Sequence, residues 1–169
     1  MDAFEMIHGR RSIRLFTNKP VSDEHLDEIF RAAMAAPSAG NQQPWHFVVI
    51  DDRTTIDEIP KFHPYAGALN TAPVAIVVCG DKRLERYEGF WVQDCSAATQ
   101  NLLLAAHALG LGTVWLAGYP AMDRVENLQK LLGIPPDVIP LAVIALGHPD
   151  ERKGPVDRYN AERIHLNKW

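Results

Sequence analysis

Basic charge is in short supply in this sequence of 169 residues: 17 lysines and arginines stand against 21 acidic residues, a formal charge of −4. A domain that grips nucleic acid usually shows a basic excess, so a general nucleic-acid binder is excluded. Cysteine is scarcer. Cys79 and Cys95 lack CxxC spacing and sit among apolar neighbours, which suits buried thiols in a reducing compartment and not a disulfide framework. No apolar run approaches the roughly 20 residues of a membrane span. The N-terminal MDAFEMIHGRRS has no apolar core of a secretory signal,. A cytoplasmic location, with no membrane partner, is the expectation.

The usual catalytic motifs are missing too. Seven histidines (His8, His25, His46, His63, His107, His148 and His165) are scattered without HExxH spacing, so no metal site is expected,. There is no GxSxG nucleophile elbow and no GxxxxGK[ST] phosphate loop,. Gly110-Leu111-Gly112 follows a helical pattern, whereas a dinucleotide fingerprint follows a strand. Asp51-Asp52 reads most simply as a turn. With no acid–base set in view, a cofactor is the favoured carrier of any chemistry.

What is present suits one domain over 1–169, long enough to bury about 70% of its unfolded surface. Residues 2–8 read as a short helix with Phe4, Ile7 and Met6 inward, stopped by Gly9. Ser22 is a good N-cap, and Leu26, Ile29, Phe30, Ala33 and Met34 recur at helical spacing through 22–36, before Pro37. Strands are expected at 45–51, 73–80, 113–116 and 138–146, the last despite Pro140. The run 73–80 is continuously apolar, as in a strand covered on both faces. Weak helix is expected at 52–59, irregular chain at 60–73 and a helix at 122–132. The helix expected at 94–109 is apolar or small nearly all round, so it must be deeply buried or shared with a partner. The tail from Gly147 is polar and too aperiodic for a packed helix, and reads as lying across a surface. The alternation of elements allows α+β or α/β.

Four constellations stand out. Arg10, Arg11, Ser12 and Arg14 crowd guanidiniums into five residues of an acidic chain. They suit a phosphate, which arginine forks hold bidentately, or else form a solvated basic stretch at a helix end. The loop Pro37-Ser38-Ala39-Gly40-Asn41-Gln42-Gln43-Pro44 carries carboxamides that match the mixed edge of a heterocycle, or is a plain polar loop. Leu116-Ala117-Gly118 is a strand end whose backbone N–H groups could face a ring, or an ordinary turn. Arg152, Lys153 and Arg158 add charge to the tail, with a solvated tail as the alternative.

Taken in order, RRSIRLF, PSAGNQQPWHF, NLLLAAHALGLGTVW, LGHP and the tail DRYN to NKW resemble the FMN-dependent nitroreductase family along essentially the whole chain. The resemblance implies an α+β fold: a central, mainly antiparallel sheet flanked by helices, in an intertwined homodimer with FMN at the subunit interface. It implies electron transfer from NAD(P)H through the flavin to nitroaromatics, quinones or similar small acceptors by a ping-pong mechanism. No side chain need be catalytic. By position, Arg10, Arg11, Ser12 and Arg14 match the FMN phosphate and ribityl segment. Pro37, Ser38, Ala39, Asn41 and Gln43 match the loop reaching the flavin from the other subunit. Leu116, Ala117 and Gly118 match the turn whose amides face flavin N5. Arg158 matches a phosphate-contacting arginine, with Lys153 as a weaker match. The helix 94–109 then fits a dimer helix, and the tail from about 150 to 169 is expected to pack on the partner.

The chain departs from the family in two places. Many members carry an acid where Ala117 stands. Longer members also have a lid insertion where this chain is short, leaving His63, Tyr65, Tyr87, Phe90 and Trp91 as expected substrate-gate residues. The alternatives are a flavin-dependent reductase of one specific metabolite, a flavin-binding module without turnover, and a partner-binding domain whose arginines are solvated.

Overall fold

A computed structural model describes residues 2–154 and 156–169. Among these the chain runs α1 (Ala3–Gly9), α2 (Asp23–Met34), β1 (Trp45–Ile50), α3 (Arg53–Glu58), β2 (Val74–Asp81), α4 (Trp91–Ala108), β3 (Gly112–Ala117), α5 (Met122–Leu132) and β4 (Val138–Gly147). Helix starts are set by their caps. Asp2 Oδ1 accepts from Phe4 N and Glu5 N while Glu5 reaches back to Asp2 N, a reciprocal capping box,. Ser22 Oγ accepts from His25 N, and Asp52 Oδ2 from Thr55 N,.

The four strands form one antiparallel sheet in the order β1-β2-β4-β3. Every residue of β2 is buried, because alternate side chains serve two different cores. Val74, Ile76 and Val78 face α2 and α4, with Ile29, Ala33, Cys95, Ala98 and Leu102. Ala75, Val77 and Cys79 face α3 and α5, with Ile56, Ile59, Leu69 and Leu128. A large aliphatic side chain fully buried this way contributes roughly 1.5–3 kcal/mol. Pro140 sits inside β4 opposite Cys79, where the register against β2 shifts. A residue without an N–H thus falls where the ladder is already interrupted.

The architecture is α+β, a central antiparallel sheet flanked by helices. Several local expectations are corrected. Phe4 and Ile7 do not face inward: they are 73% and 51% exposed, because α1 packs only loosely, its end meeting α4 at Gly9 and His107. Met34, at the end of α2, is also exposed. The α4 helix begins at Trp91, three residues earlier than 94, and the irregular stretch 60–73 includes a 3-10 turn, Ala66–Asn70, that buries Leu69. Along α4 the exposed positions are Gln93, Gln100 and Ala108. From Arg152 onward every described tail residue is exposed, including Val156, Tyr159, Ile164, Leu166 and Trp169.

Candidate functional site

The free edge of β3 organises the site. After α1 the chain runs extended beside it: Ser12 bridges Thr113, Ile13 N–H donates to Thr113 O at 2.9 Å, and Phe16 bridges Pro149. Ile13 and Phe16 are buried while Arg14 points outward. Arg10 and Arg11 line a cavity of about 510 Å³ with Val156, Arg158 and Tyr159. None of these three arginines makes an ion pair among the described residues. Asp157, in the same wall, accepts from Tyr159 N–H. Burial, then the Arg158 charge, then that of Arg11 hold the Arg10 guanidinium below its ordinary value. Such mutual repulsion is relieved by a bound anion.

The three tail and arm cations differ in what they already do. Arg11 Nε donates to Gly154 O, and its Nη1 to the carbonyls of His8 and Arg10. Its Nη2 is buried and has no partner among the described residues. Lys153 Nζ donates to Ser12 O at 2.6 Å and pairs with Glu151 at 3.0 Å. The Glu151 carboxyl is held down mainly by Arg14 N–H and then by Lys153. Lys153 is therefore already answered, whereas Arg158 lines the cavity with Arg10 and Arg11 and makes no ion pair among the described residues.

Arg14 lines a second cavity, of about 420 Å³, with Tyr65, Trp115, Leu116, Ala117 and Arg124. Backbone directions alternate along a strand. Gly118 N–H donates to Leu141 O on β4, and Tyr119 N–H to Leu141 O as well. Thr113 O and Ala117 O instead face away from β4. Of the three amides read as ring-facing, Leu116 and Gly118 thus turn toward β4, and the Ala117 N–H points to the open edge.

The loop before β1 is built differently. Gly40, Asn41 and Gln43 all lie at left-handed φ, of 52°, 55° and 46°. A Cβ on Gly40 would meet the Tyr87 ring at 2.4 Å. A left-handed Asn and a left-handed Gln two residues apart are uncommon, and such positions collect at functional sites. Buried groups hold them there: Asp94 accepts from Ala39 N at 2.9 Å and Gln42 Nε2 at 2.6 Å, and Gln42 Oε1 accepts from Arg86 N and Tyr87 N. Ser38 Oγ accepts from Gln43 N. Asn41 and Gln43 are left exposed, as is Pro37. None of the loop residues lines the two cavities above.

The expected gate residues separate into two groups. Tyr87 and Phe90 pair edge to face beside the loop. Tyr65 and His63 lie by the 116–118 turn. Two of the five are buried rather than exposed at a cavity mouth. Trp91 is buried against Tyr119, and His63 is buried with Nε2–H donating to Ala117 O at 2.9 Å. That carbonyl can only accept, which fixes the tautomer. Burial, the largest influence, lowers the His63 pKa from its ordinary value.

Asp94 and Arg124 have no role in the sequence pattern, and Gln42, expected among the carboxamides that meet a ring, turns inward instead. Gln42 and Asp94 meet across 52 positions, and no local pattern links them. Arg124 donates from Nη1 to Ala117 O at 3.0 Å and lies 5.3 Å over the Tyr65 ring. Its signal was legible: a cation in the first turn of α5, the unfavourable end of the helix dipole,. Among the described residues no group of His, Cys, Asp or Glu could hold a metal ion, and no helix is long and apolar enough to cross a membrane.

Comparison with known proteins agrees with this geometry. The model of the Nitroreductase family matches residues 7–63 and 62–148. A Methanothermobacter thermautotrophicus protein with the provisional name NADH dehydrogenase/NAD(P)H nitroreductase is 52% identical over 100% of this chain and 88% of its own length. A Parabacteroides distasonis crystal structure under the same provisional name is 43% identical, with a TM-score of 0.94 over 98% of both chains. A Desulfovibrio desulfuricans structure, provisionally a nitroreductase and solved in complex with FMN, is 34% identical, with a TM-score of 0.85 over 100% of this chain and 99% of the other. Arginine arm, strained amide loop, open β3 edge and family match thus converge: this chain belongs to the nitroreductase family.

Proposed function

We propose that residues 1–169 form one FMN-binding domain of a homodimeric, cytoplasmic oxidoreductase. It takes electrons from NAD(P)H and passes them to nitroaromatic, quinone or similar small acceptors in ping-pong order. The observation that carries the reading is the set of guanidiniums of Arg10, Arg11 and Arg158 around one cavity, without an ion pair among the described residues and joined by the extended 10–14 segment to the open edge of β3. The residues fit FMN. Arg10, Arg158 and Arg11 Nη2 would hold the phosphate, Ser12 and Arg14 the chain between phosphate and ring, and the Ala117 N–H the ring edge. When bound, the flavin supplies hydride acceptance from the nicotinamide and return of two electrons to the second substrate.

The protein's own work is to orient and to polarise. An N–H aimed at the ring from a sheet edge needs no reorganisation during the reaction. The Asn41 and Gln43 carboxamides, exposed on their held loop, would meet the flavin of a second copy. The exposed Phe4, Ile7, Ile164, Leu166 and Trp169 and the half-buried positions along α4 are surfaces that a second copy would cover. The test is purification without added flavin. A yellow dimer bleached by NADH or NADPH is the expected result. A colourless protein that takes up no FMN would overturn the reading.

A further inference from the structure

Ala117 O is held from two sides, by His63 from the interior and by Arg124 from the cavity wall. One donor would fix the peptide plane. The second brings a charge with it, and that charge is not neutralised. Arg124 makes no ion pair among the described residues, although Asp123 precedes it in the chain. Its Nε is buried with no partner. It sits in the first turn of α5, where the dipole disfavours a cation,. The Tyr65 ring face offsets part of this cost,, but an aromatic face does not satisfy an N–H fork.

The chemistry around this guanidinium is one-sided. The cavity is walled by Tyr65, Trp115, Leu116, Ala117 and two arginines, with no carboxylate among its lining residues. Arg14 is committed by the proposed function to FMN, and the phosphate to the other cavity. Arg124 is the cation left over, at the carbonyl of the same residue whose N–H faces the ring. Resting on that proposed function, we infer that Arg124 selects an anionic acceptor: a planar aromatic or quinoid molecule bearing a carboxylate or similar group. The ring of such a molecule lies against Tyr65 and its anionic group meets the Arg124 fork. A planar carboxylate matches that fork bidentately, where a neutral amide does not.

The test uses the FMN-loaded protein and two probes of nearly equal size, 4-nitrobenzoate and 4-nitrobenzamide, at saturating nicotinamide donor. The wild type is expected to favour the benzoate in kcat/KM by about tenfold, through KM. Arg124→Met keeps the apolar stem and should erase that preference, kcat/KM falling about tenfold more for the benzoate than for the benzamide; Arg124→Lys should restore part of it. Binding of 4-nitrobenzoate to the oxidised protein, read by fluorescence quenching without turnover, should weaken in parallel. Equal use of both probes by the wild type overturns the inference and leaves the oxidoreductase reading standing. An Arg124→Met loss confined to the KM of NADH or NADPH also overturns it, and assigns the charge to the dinucleotide's phosphates. An equal loss on both probes makes Arg124 a brace for Ala117 only. A protein that binds no FMN ends the oxidoreductase reading and this inference with it.

Discussion

The loop at 37–44 and the tail beyond 150 are both polar in sequence, and both were expected to serve a flavin and a partner. In the structure they are opposites. The loop is held from beneath by a buried carboxylate and a buried carboxamide, which fix three left-handed residues and leave Asn41 and Gln43 pointing outward. Among the described residues the tail is tied at its root, by Glu151 to Arg14 N–H, Lys153 to Ser12 O and Gly154 O to Arg11, and beyond that its side chains are exposed. A polar segment is rigid when its backbone groups are satisfied internally, and unfinished when its apolar groups have nothing to cover. The loop is a completed part that presents; the tail is an incomplete part that needs another surface.

Removing the tail tests that difference most severely. Truncation after Gly154 keeps these root contacts and deletes Val156, Tyr159, Ile164, Leu166 and Trp169. Burying such side chains at an interface contributes on the order of 1–2 kcal/mol each. The proposed dimer should therefore weaken by at least about a thousandfold, seen as monomer in sedimentation velocity. Far-UV dichroism should be unchanged, because the deleted residues touch little of their own chain. A truncated protein that stays dimeric would show that the tail needs no partner.

The loop should fail in the other way. Asp94→Ala strands the half-buried Ala39 N–H and the buried Gln42 amide, for a loss of about 3 kcal/mol and a Tm lower by about 6–12 °C,. Hydrogen exchange at Ala39 should accelerate while tail amides stay as fast as before. If Tm holds and only FMN binding changes, the carboxylate has no structural part in the loop. Smaller again is Arg158→Ala, expected to weaken FMN binding by about tenfold to a hundredfold while Tm of the FMN-free protein stays unchanged. Arg11→Ala is a poorer probe of the phosphate, since it also removes donors to the carbonyls of His8, Arg10 and Gly154.

What the sequence could and could not disclose follows the same division. Periodicity and caps placed β1, β2, β4 and α5 within a residue or so, since local hydrophobic pattern and N-cap chemistry act over a few positions. The arginine cluster was visible because charge density is a local property. Asp94 beneath the loop was not visible, for it looks like any acid near a helix start until the fold carries it to Ala39. Phe4 and Ile7 were misread inward because an apolar spacing says that a face is to be covered, and not by which chain. His63 and Trp91 are expected at a gate because the chain is short where longer members carry a lid, whereas burial, which the sequence does not print, places one beneath Ala117 and the other in the core.

The open-edge turn at 116–118 has its own interior support, which makes it comparable to the loop and gives the smallest expected effect. His63 donates to Ala117 O as a neutral imidazole, and burial lowers its pKa in the folded chain. The unfolded chain takes up that proton near its ordinary value of about 6.5, and the folded chain only at lower pH. Between those values the unfolded state binds more protons, so stability rises with pH there. The His63 contribution is complete above about 6.5 and is lost as pH falls through the folded value. His107 shifts in the same direction, first by burial and then by the Arg10 and Arg11 charges, so the two histidine contributions add on the acid side. Thermal unfolding of the FMN-free protein from pH 7.5 to 5.0 should show Tm falling on the acid side, with His63→Gln flattening part of the fall. Retention of the full slope in His63→Gln would assign it to His107, leaving Asp94 as the one support, under loop or turn, whose removal measurably softens what it holds.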